Sequence, residues 1–318
     1  MDINQQKYRE LCEIERSIPF SSQAWWLDAT VGPERWSATL VERAGKVIAA
    51  MPYVRKTRYG FVILTQPPAG HGLGPWLACK DAKPTKLLSQ QKELMTELIE
   101  QLPRFDHFAQ AWHYTDTNWL PFFWKGYRQT TRYTYVLPDL SDETSLWNAM
   151  QPTVKQDIRK ATGRFNLRVR HTDSIDDFLP LNRNVGTDPR WRRGYSDDVA
   201  RRIDAACKER GQRKIFIVED EEGRAHYSAY LVWDEQSAYG LMGGANRDLP
   251  PNTGAGSYCI WETIKFASTV TRIYDFSGSM LESVERFFRG FGAVQRPYFR
   301  ITKTPSRALS LYQLMRSR

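Results

Sequence analysis

Ala238-Tyr-Gly-Leu-Met-Gly-Gly-Ala245, followed by Asn246-Arg-Asp-Leu-Pro-Pro-Asn-Thr-Gly-Ala-Gly-Ser257, decides how this 318-residue chain is read. The first part is a short apolar run closed by Gly243-Gly244, the pattern of a buried strand over 238–243. Prolines and glycines make the second part a loop, and Thr253 or Ser257 is placed to cap a following helix. From about 258 to 268, Ile260, Trp261, Ile264 and Ala267 recur on one face, as they do in a core-facing helix. Arg272-Ile-Tyr-Asp-Phe276 reads as a second strand. Gly278 breaks it before a short helix, Glu285-Arg-Phe-Phe-Arg289, that ends at Gly290 and Gly292.

Strand, glycine loop, helix, strand, helix is an arrangement suited to an anion. Glycines at 254 and 256 let the backbone approach a ligand closely, and free N–H groups at a helix start attract phosphate. Asn252, Thr253, Gly254, Ala255, Gly256 and Ser257 are the expected donor-binding residues.

The stretch resembles the cofactor-binding half of the GNAT acyltransferase superfamily, and more closely its Fem-type, two-domain branch. Thr253-Gly-Ala-Gly-Ser257 sits where the family's pyrophosphate-cradling loop opens its central helix. Tyr274-Asp-Phe-Ser-Gly-Ser279 and Val284-Glu-Arg-Phe-Phe-Arg-Gly-Phe-Gly-Ala293 resemble the strand and helix of polysaccharide-cluster members. The resemblance implies an N-acyltransferase with acyl-CoA (acetyl-CoA) as donor and an amine acceptor, such as an amino sugar or glycan precursor. The Fem branch implies an alternative, an aminoacyl-tRNA donor. A non-catalytic binding module is the third reading, because of two departures from the family pattern. Phe288 stands where many GNAT enzymes have a Tyr that protonates the leaving thiolate, and Ser277 stands where polysaccharide-cluster relatives tend to have Glu. Phe288 is then left to bind the donor, and either proton management falls to Tyr239, Tyr274 and Asp275, with Tyr258 also possible, or the leaving group departs unassisted.

Outward from this core, the composition is that of a globular chain: 41% hydrophobic and 25% charged residues. The length suffices for two ordinary cores. A net charge of +9 favours an anionic partner. Cys12, Cys79, Cys207 and Cys259 are scattered, and the five histidines form no ligand spacing, so no metal is expected. Cys207 and Cys259 lie in apolar helical surroundings that suit buried thiols. No apolar run reaches membrane-spanning length and the N-terminus has no signal core, so the expected location is the cytoplasm.

The N-terminal half repeats the order. Trp36 to Glu42 and Lys46 to Val54 flank Ala44-Gly45 as a hairpin, as Arg213 to Glu219 and Ala225 to Trp233 flank Glu221-Glu222-Gly223. A third strand, a helix over about 85–102, a strand from His107 and an aromatic helix near 118–125 follow. Pro121-Phe-Phe-Trp-Lys-Gly-Tyr127 echoes Arg286-Phe-Phe-Arg-Gly-Phe-Gly292. Before the first of these helices, Lys80-Asp-Ala-Lys-Pro-Thr85 has no glycine, so the donor site belongs to the second half. Near the N-terminus, Ser21 or Ser22 could cap a helix. The fold class expected is α/β: tandem GNAT-like halves, mixed mostly antiparallel sheets flanked by helices, with a cleft between them. The boundaries expected are 1–144, a basic linker at 145–170, and 171–318.

The linker, expected as one helix over 146–164, groups Lys155, Arg159 and Lys160. Its Ile158-Arg-Lys-Ala161 core is similar to that of the Fem family linker. These cations face either a ligand or solvent. Arg190-Trp-Arg-Arg-Gly-Tyr195 mixes cations and rings, which suits either a phosphate plus a stacked ring or a rim that packs on the core; on the first reading Arg190, Trp191 and Arg193 join Lys155, Arg159 and Lys160 as substrate- or tRNA-binding residues. No Gly-x-Ser-x-Gly elbow is present. Direct transfer to the amine, without an acyl-enzyme, is the expected chemistry.

Overall fold

The structure is a computed structural model that describes residues 2–70, 72–78, 83–183, 193–278 and 280–316. The chain forms two compact units. One comprises Met1–Arg132 with Pro297–Arg318, the other Tyr133–Arg296.

The first unit opens with helices α1 (Ile3–Ile14) and α2 (Ala24–Val31). Strands β1 (Trp36–Arg43) and β2 (Lys46–Arg58) form the expected hairpin, turning at Ala44-Gly45, both with positive φ. Then come β3 (Phe61–Thr65), the two-residue β4 (Trp76–Leu77), helix α3 (Pro84–Glu100), β5 (His107–Ala111), the short α4 (Leu120–Trp124) and β6 (Arg128–Leu137). β2 pairs antiparallel with β3, and β3 runs parallel to β5 because α3 crosses between them. Two cores hold this unit. Leu64, Leu98, Phe108, Trp112 and Phe122 pack around α3, and Tyr8, Leu27, Trp36 and Val54 pack under α1 and α2. Ser21 and Ser22 do not cap α2. Their hydroxyls donate instead to the Gly72 carbonyl at 2.8 and 3.1 Å, and Gln23 is the cap residue.

The second unit starts inside β6. Helices α5 (Glu143–Ala149) and α6 (Pro152–Gly163) replace the single expected linker helix. Pro152 is the reason: it opens α6, and Met150 and Gln151 ahead of it are extended. Strand β7 (Arg168–Thr172), α7 (Ile175–Arg183) and α8 (Asp197–Glu209) lead to β8 (Arg213–Glu219), β9 (Ala225–Trp233) and β10 (Ala238–Ala245). Helix α9 (Ala255–Ala267), β11 (Tyr274–Asp275), α10 (Glu282–Arg289), β12 (Val294–Lys303) and α11 (Arg307–Arg316) complete the chain. β7, β8, β9 and β10 pair antiparallel in succession, β10 runs parallel to β11, and β11 pairs antiparallel with β6.

The units share a strand logic, as the repeated sequence order predicts. Each has an antiparallel hairpin, a third strand, a helix, a strand parallel to the third, and a last strand antiparallel to that one. The last strands are exchanged along the chain. β12 follows α10 but pairs with β5, while β6 follows α4 but pairs with β11. This is why the boundaries differ from those expected. The basic linker packs within the second unit, and Pro297–Arg318 returns to the first. α6 lies on α9, and Val154, Ile158 and Ala161 join Cys259, Ile260, Trp261 and Ile264 in one core. Cys207 and Cys259 are fully buried, and burial pushes the Cys207 thiol up to about 12. No helix among the described residues is long and apolar enough to cross a membrane.

Candidate functional site

β10 and β11 run together for two residue pairs only, Ala238 with Tyr274 and Tyr239 with Asp275. The cause lies in β11. After Asp275 the chain stays along β6, with the Phe276 amide donating to the Tyr135 carbonyl at 3.0 Å. Ser277 and Gly278 then turn with φ of 66° and 68°. A Cβ on Gly278 would stand 2.7 Å from the Tyr133 carbonyl, so this turn requires glycine. β10 meanwhile continues on β9 as far as Ala245, so the two parallel strands part beyond Tyr239. At the same place the register of β10 on β9 shifts between Gly240 and Met242, leaving Leu241 as an extra residue. A bulge takes backbone groups out of the ladder and re-aims them. The two strands diverge beyond Tyr239 with Leu241 outside the ladder, an arrangement that leaves backbone groups to polarise a carbonyl.

The parallel register sorts the expected catalytic residues onto two faces. Tyr239 and Asp275 are neighbours on one face, and Tyr274 lies on the other, toward α9. The Tyr274 hydroxyl meets Thr263 of α9 at 2.9 Å and lies 3.1 Å from where a Gly240 Cβ would be. Gly240 is what makes room for it. Burial pushes the Tyr274 phenol well above its ordinary range, so it keeps its proton. The Tyr239 hydroxyl donates to Asp234 at 3.3 Å. Asp275 is 3% exposed; its carboxylate accepts from the Thr134 hydroxyl at 2.5 Å and the Ser277 amide at 2.8 Å. Burial lifts this acid to about 6, against the opposing pull of those two hydrogen bonds. The Ser277 hydroxyl is buried and has no hydrogen-bond partner among the described residues.

The glycine loop turns out differently from its sequence reading. Gly254 is the N-cap of α9, with φ of 84°, but its bare Cα faces protein. A Cβ there would stand 2.1 Å from the Asp157 carbonyl oxygen of α6. The Asp157 carboxylate lies 3.4 Å from the Ser257 hydroxyl and 2.7 Å from Lys160. The first turn of α9 therefore already has a protein carboxylate beside it, and a second anion would meet like charge. Thr253, Ala255 and Ser257 are buried, while Asn252, with φ of 64°, is exposed. A Cβ on Gly256 would make ordinary contacts with Tyr227 at 3.4 Å and Phe287 at 3.8 Å. Gly254 and Gly256 are half-buried, so of this loop Asn252 and the two glycines reach the surface. Phe288 packs on Phe276, ring centroids 5.0 Å apart.

The expected cations are mostly engaged. Lys155 donates to the Asn148 carbonyl at 3.0 Å, Arg159 lies over Trp147 at 5.8 Å, and Lys160 pairs with Asp157. Arg193 is held by Asn182 at 3.0 Å, the Tyr195 carbonyl at 2.9 Å and Asp197, so it braces α7 and α8. Arg190 and Trp191 lie outside the described residues. No group of three or more His, Cys, Asp and Glu is placed to hold a metal ion among the described residues.

Sequence reasoning missed several contributors. Thr134 and Asp275 are 141 residues apart, and no local pattern couples them. Asn182 donates to the Gly243 carbonyl at 3.0 Å, and the Leu181 carbonyl would be 2.2 Å from a Gly244 Cβ, so the end of α7 sits directly on β10. Tyr135 donates to Glu285 of α10 at 2.8 Å and accepts from Gln295 at 2.6 Å. The Gly243-Gly244 pair was the one visible signal, since tandem glycine in a strand marks a close approach.

Comparison with known proteins bears on the fold. The acetyltransferase (GNAT) domain family matches residues 150–289. No curated protein matches the chain in sequence. Among solved structures, FemX is similar over 99% of this chain and 98% of its own, with 13% identity and a TM-score of 0.65. The L-PGS structure from Bacillus licheniformis is similar over 99% and 98%, with 10% identity and a TM-score of 0.57. A tandem GNAT protein from the clavulanic acid biosynthesis pathway is similar over 95% and 96%, with 11% identity and a TM-score of 0.52. At these identities the likeness is one of fold.

Proposed function

We propose that this protein, a Fem-type two-domain member of the GNAT superfamily with its GNAT domain at residues 150–289, transfers an aminoacyl group from a tRNA ester to an amine. The observation that carries the choice of donor is Asp157. An acyl-CoA would set its pyrophosphate against the start of α9, where the Asp157 carbonyl and carboxylate already stand. An aminoacyl ester brings its carbonyl to the β10–β11 opening and carries its phosphates elsewhere on a large ligand. Arg159, Arg164 and Arg168, exposed on and just after α6, supply positive charge for such a ligand. The fold likeness to FemX supports the Fem-type branch, whose resemblance implies such a donor.

In this chemistry the acceptor amine attacks the ester carbonyl, the new C–N bond forms, and the ester C–O bond breaks. Backbone groups freed by the bulge at Leu241 polarise the carbonyl as negative charge develops on its oxygen. Asp275, with its acid at about 6, is mostly ionised at neutral pH and takes the proton shed by the amine. The departing ribose oxygen acquires a proton in turn. No acyl-enzyme is formed.

A second reading keeps an acyl-CoA donor, favoured by the match to the acetyltransferase (GNAT) domain family. Mass spectrometry separates the two. The protein is incubated with a panel of amines, among them amino sugars and short peptides, and with charged tRNA or acetyl-CoA. Aminoacylated product from charged tRNA, lost in Asp275→Asn, is expected. Acetylated product in its place overturns the tRNA reading.

A further inference from the structure

The chain has no Asp or Glu between Glu42 and Asp81, and none after Glu285. In the first unit these two acid-free segments meet. The tip of the β2–β3 hairpin carries Arg55, Lys56, Arg58 and Tyr59, all exposed, with Tyr59 at 81% and Arg58 stacked over its ring at 5.1 Å. Beside it runs α11, whose Leu309 and Tyr312 line one apolar groove with Phe61, Ile63 and Tyr59. The helix turns Leu311 and Met315 outward, 62% and 70% exposed. They are four residues apart, on one face of the helix. Arg307 is exposed at its start. Close by, Asp106 accepts from the Val62 amide at 2.8 Å.

We propose that the hairpin tip and α11 form a docking surface for an anionic phospholipid bilayer. Protruding apolar side chains ringed by cations of one sign are complementary to a negative headgroup layer over hydrocarbon. Tyr59, Leu311 and Met315 enter the acyl boundary while Arg55, Lys56, Arg58 and Arg307 stay among the headgroups. A nucleic acid would match the cations and Tyr59 but offers nothing to Leu311 and Met315. The surface is independent of which donor is used.

Vesicle co-sedimentation tests this with the whole chain, using phosphatidylcholine alone and phosphatidylcholine mixed with phosphatidylglycerol. The protein is expected to sediment with the mixed vesicles, and less so as salt rises. Leu311→Ser with Met315→Ser lowers partitioning about tenfold per side chain, and Arg55→Gln with Arg58→Gln about fivefold per cation. All four side chains are exposed, and thermal melting checks the fold. If the apolar pair melts early, the arginine pair alone carries the test. Wild-type protein left in the supernatant, or folded variants that partition as wild type, overturns the proposal. So does loss of binding to a homopolymer RNA, rather than to vesicles, in the arginine variant.

Discussion

Gly254→Ala is expected to destabilise the second unit rather than merely weaken a ligand. Two costs add. Gly254 has φ of 84°, where an alanine carries about 1–2 kcal/mol of strain. The new methyl would also stand 2.1 Å from the Asp157 carbonyl oxygen, so α6 must move by more than an ångström relative to α9. Overpacking of that kind costs about 1–3 kcal/mol. The sum is about 2–5 kcal/mol, a fall in melting temperature of about 10 °C for a domain of this size. Gly256→Ala is the control two residues away. Its methyl makes contacts of 3.4 Å and longer, and alanine is the better helix former by about 1 kcal/mol, so its melting temperature stays level or rises. Thermal denaturation followed by circular dichroism reads both. Gly254→Ala melting within about 2 °C of wild type would refute the packing argument, as would equal losses in the two variants.

Asp275 makes stability pH-dependent. Burial raises its acid to about 6, so the folded state binds this proton more tightly than the unfolded chain does. The stability it confers is complete below the unfolded value, about 4, and is lost as pH rises through 6. Denaturant titrations are expected to show the wild type losing about 2 kcal/mol relative to Asp275→Asn between pH 4 and 7. Transfer activity has the opposite trend, rising with pH as Asp275 ionises, and falls by about a hundredfold or more in the variant. Asn182→Ala removes partners of the Gly243 carbonyl, Arg193 and Tyr195, and is expected to cost about 2–3 kcal/mol by melting. Thr263→Val leaves the Tyr274 hydroxyl without its 2.9 Å partner and costs about 1–3 kcal/mol, with Tyr274→Phe on the same background restoring most of it.

Local patterns announced the strands and helices around the site. The hairpins at 43–46 and 220–224 carry their own turn residues, and α9 shows its apolar face in Ile260, Trp261 and Ile264. The duplicated order was legible because both halves retain it. The exchange of β6 and β12 was not, since pairing of Tyr274 with Leu137 or of Ile301 with Gln110 depends on partners far away in sequence. Gly254 shows the limit of motif reading. A glycine at positive φ before a helix suits either a ligand or a second backbone, and only the placement of Asp157 distinguishes them. Asp275 was visible as a carboxylate at a strand end, but its raised acidity comes from burial that no local pattern encodes.

Calorimetric titration with aminoacylated tRNA and, separately, with acetyl-CoA tests the central claim most directly. The account predicts that tRNA binds, with an affinity that falls steeply as salt rises, and that acetyl-CoA gives no saturable heat with wild type. Saturable acetyl-CoA binding with no measurable affinity for tRNA would contradict it, because the start of α9 would then accept a pyrophosphate beside Asp157.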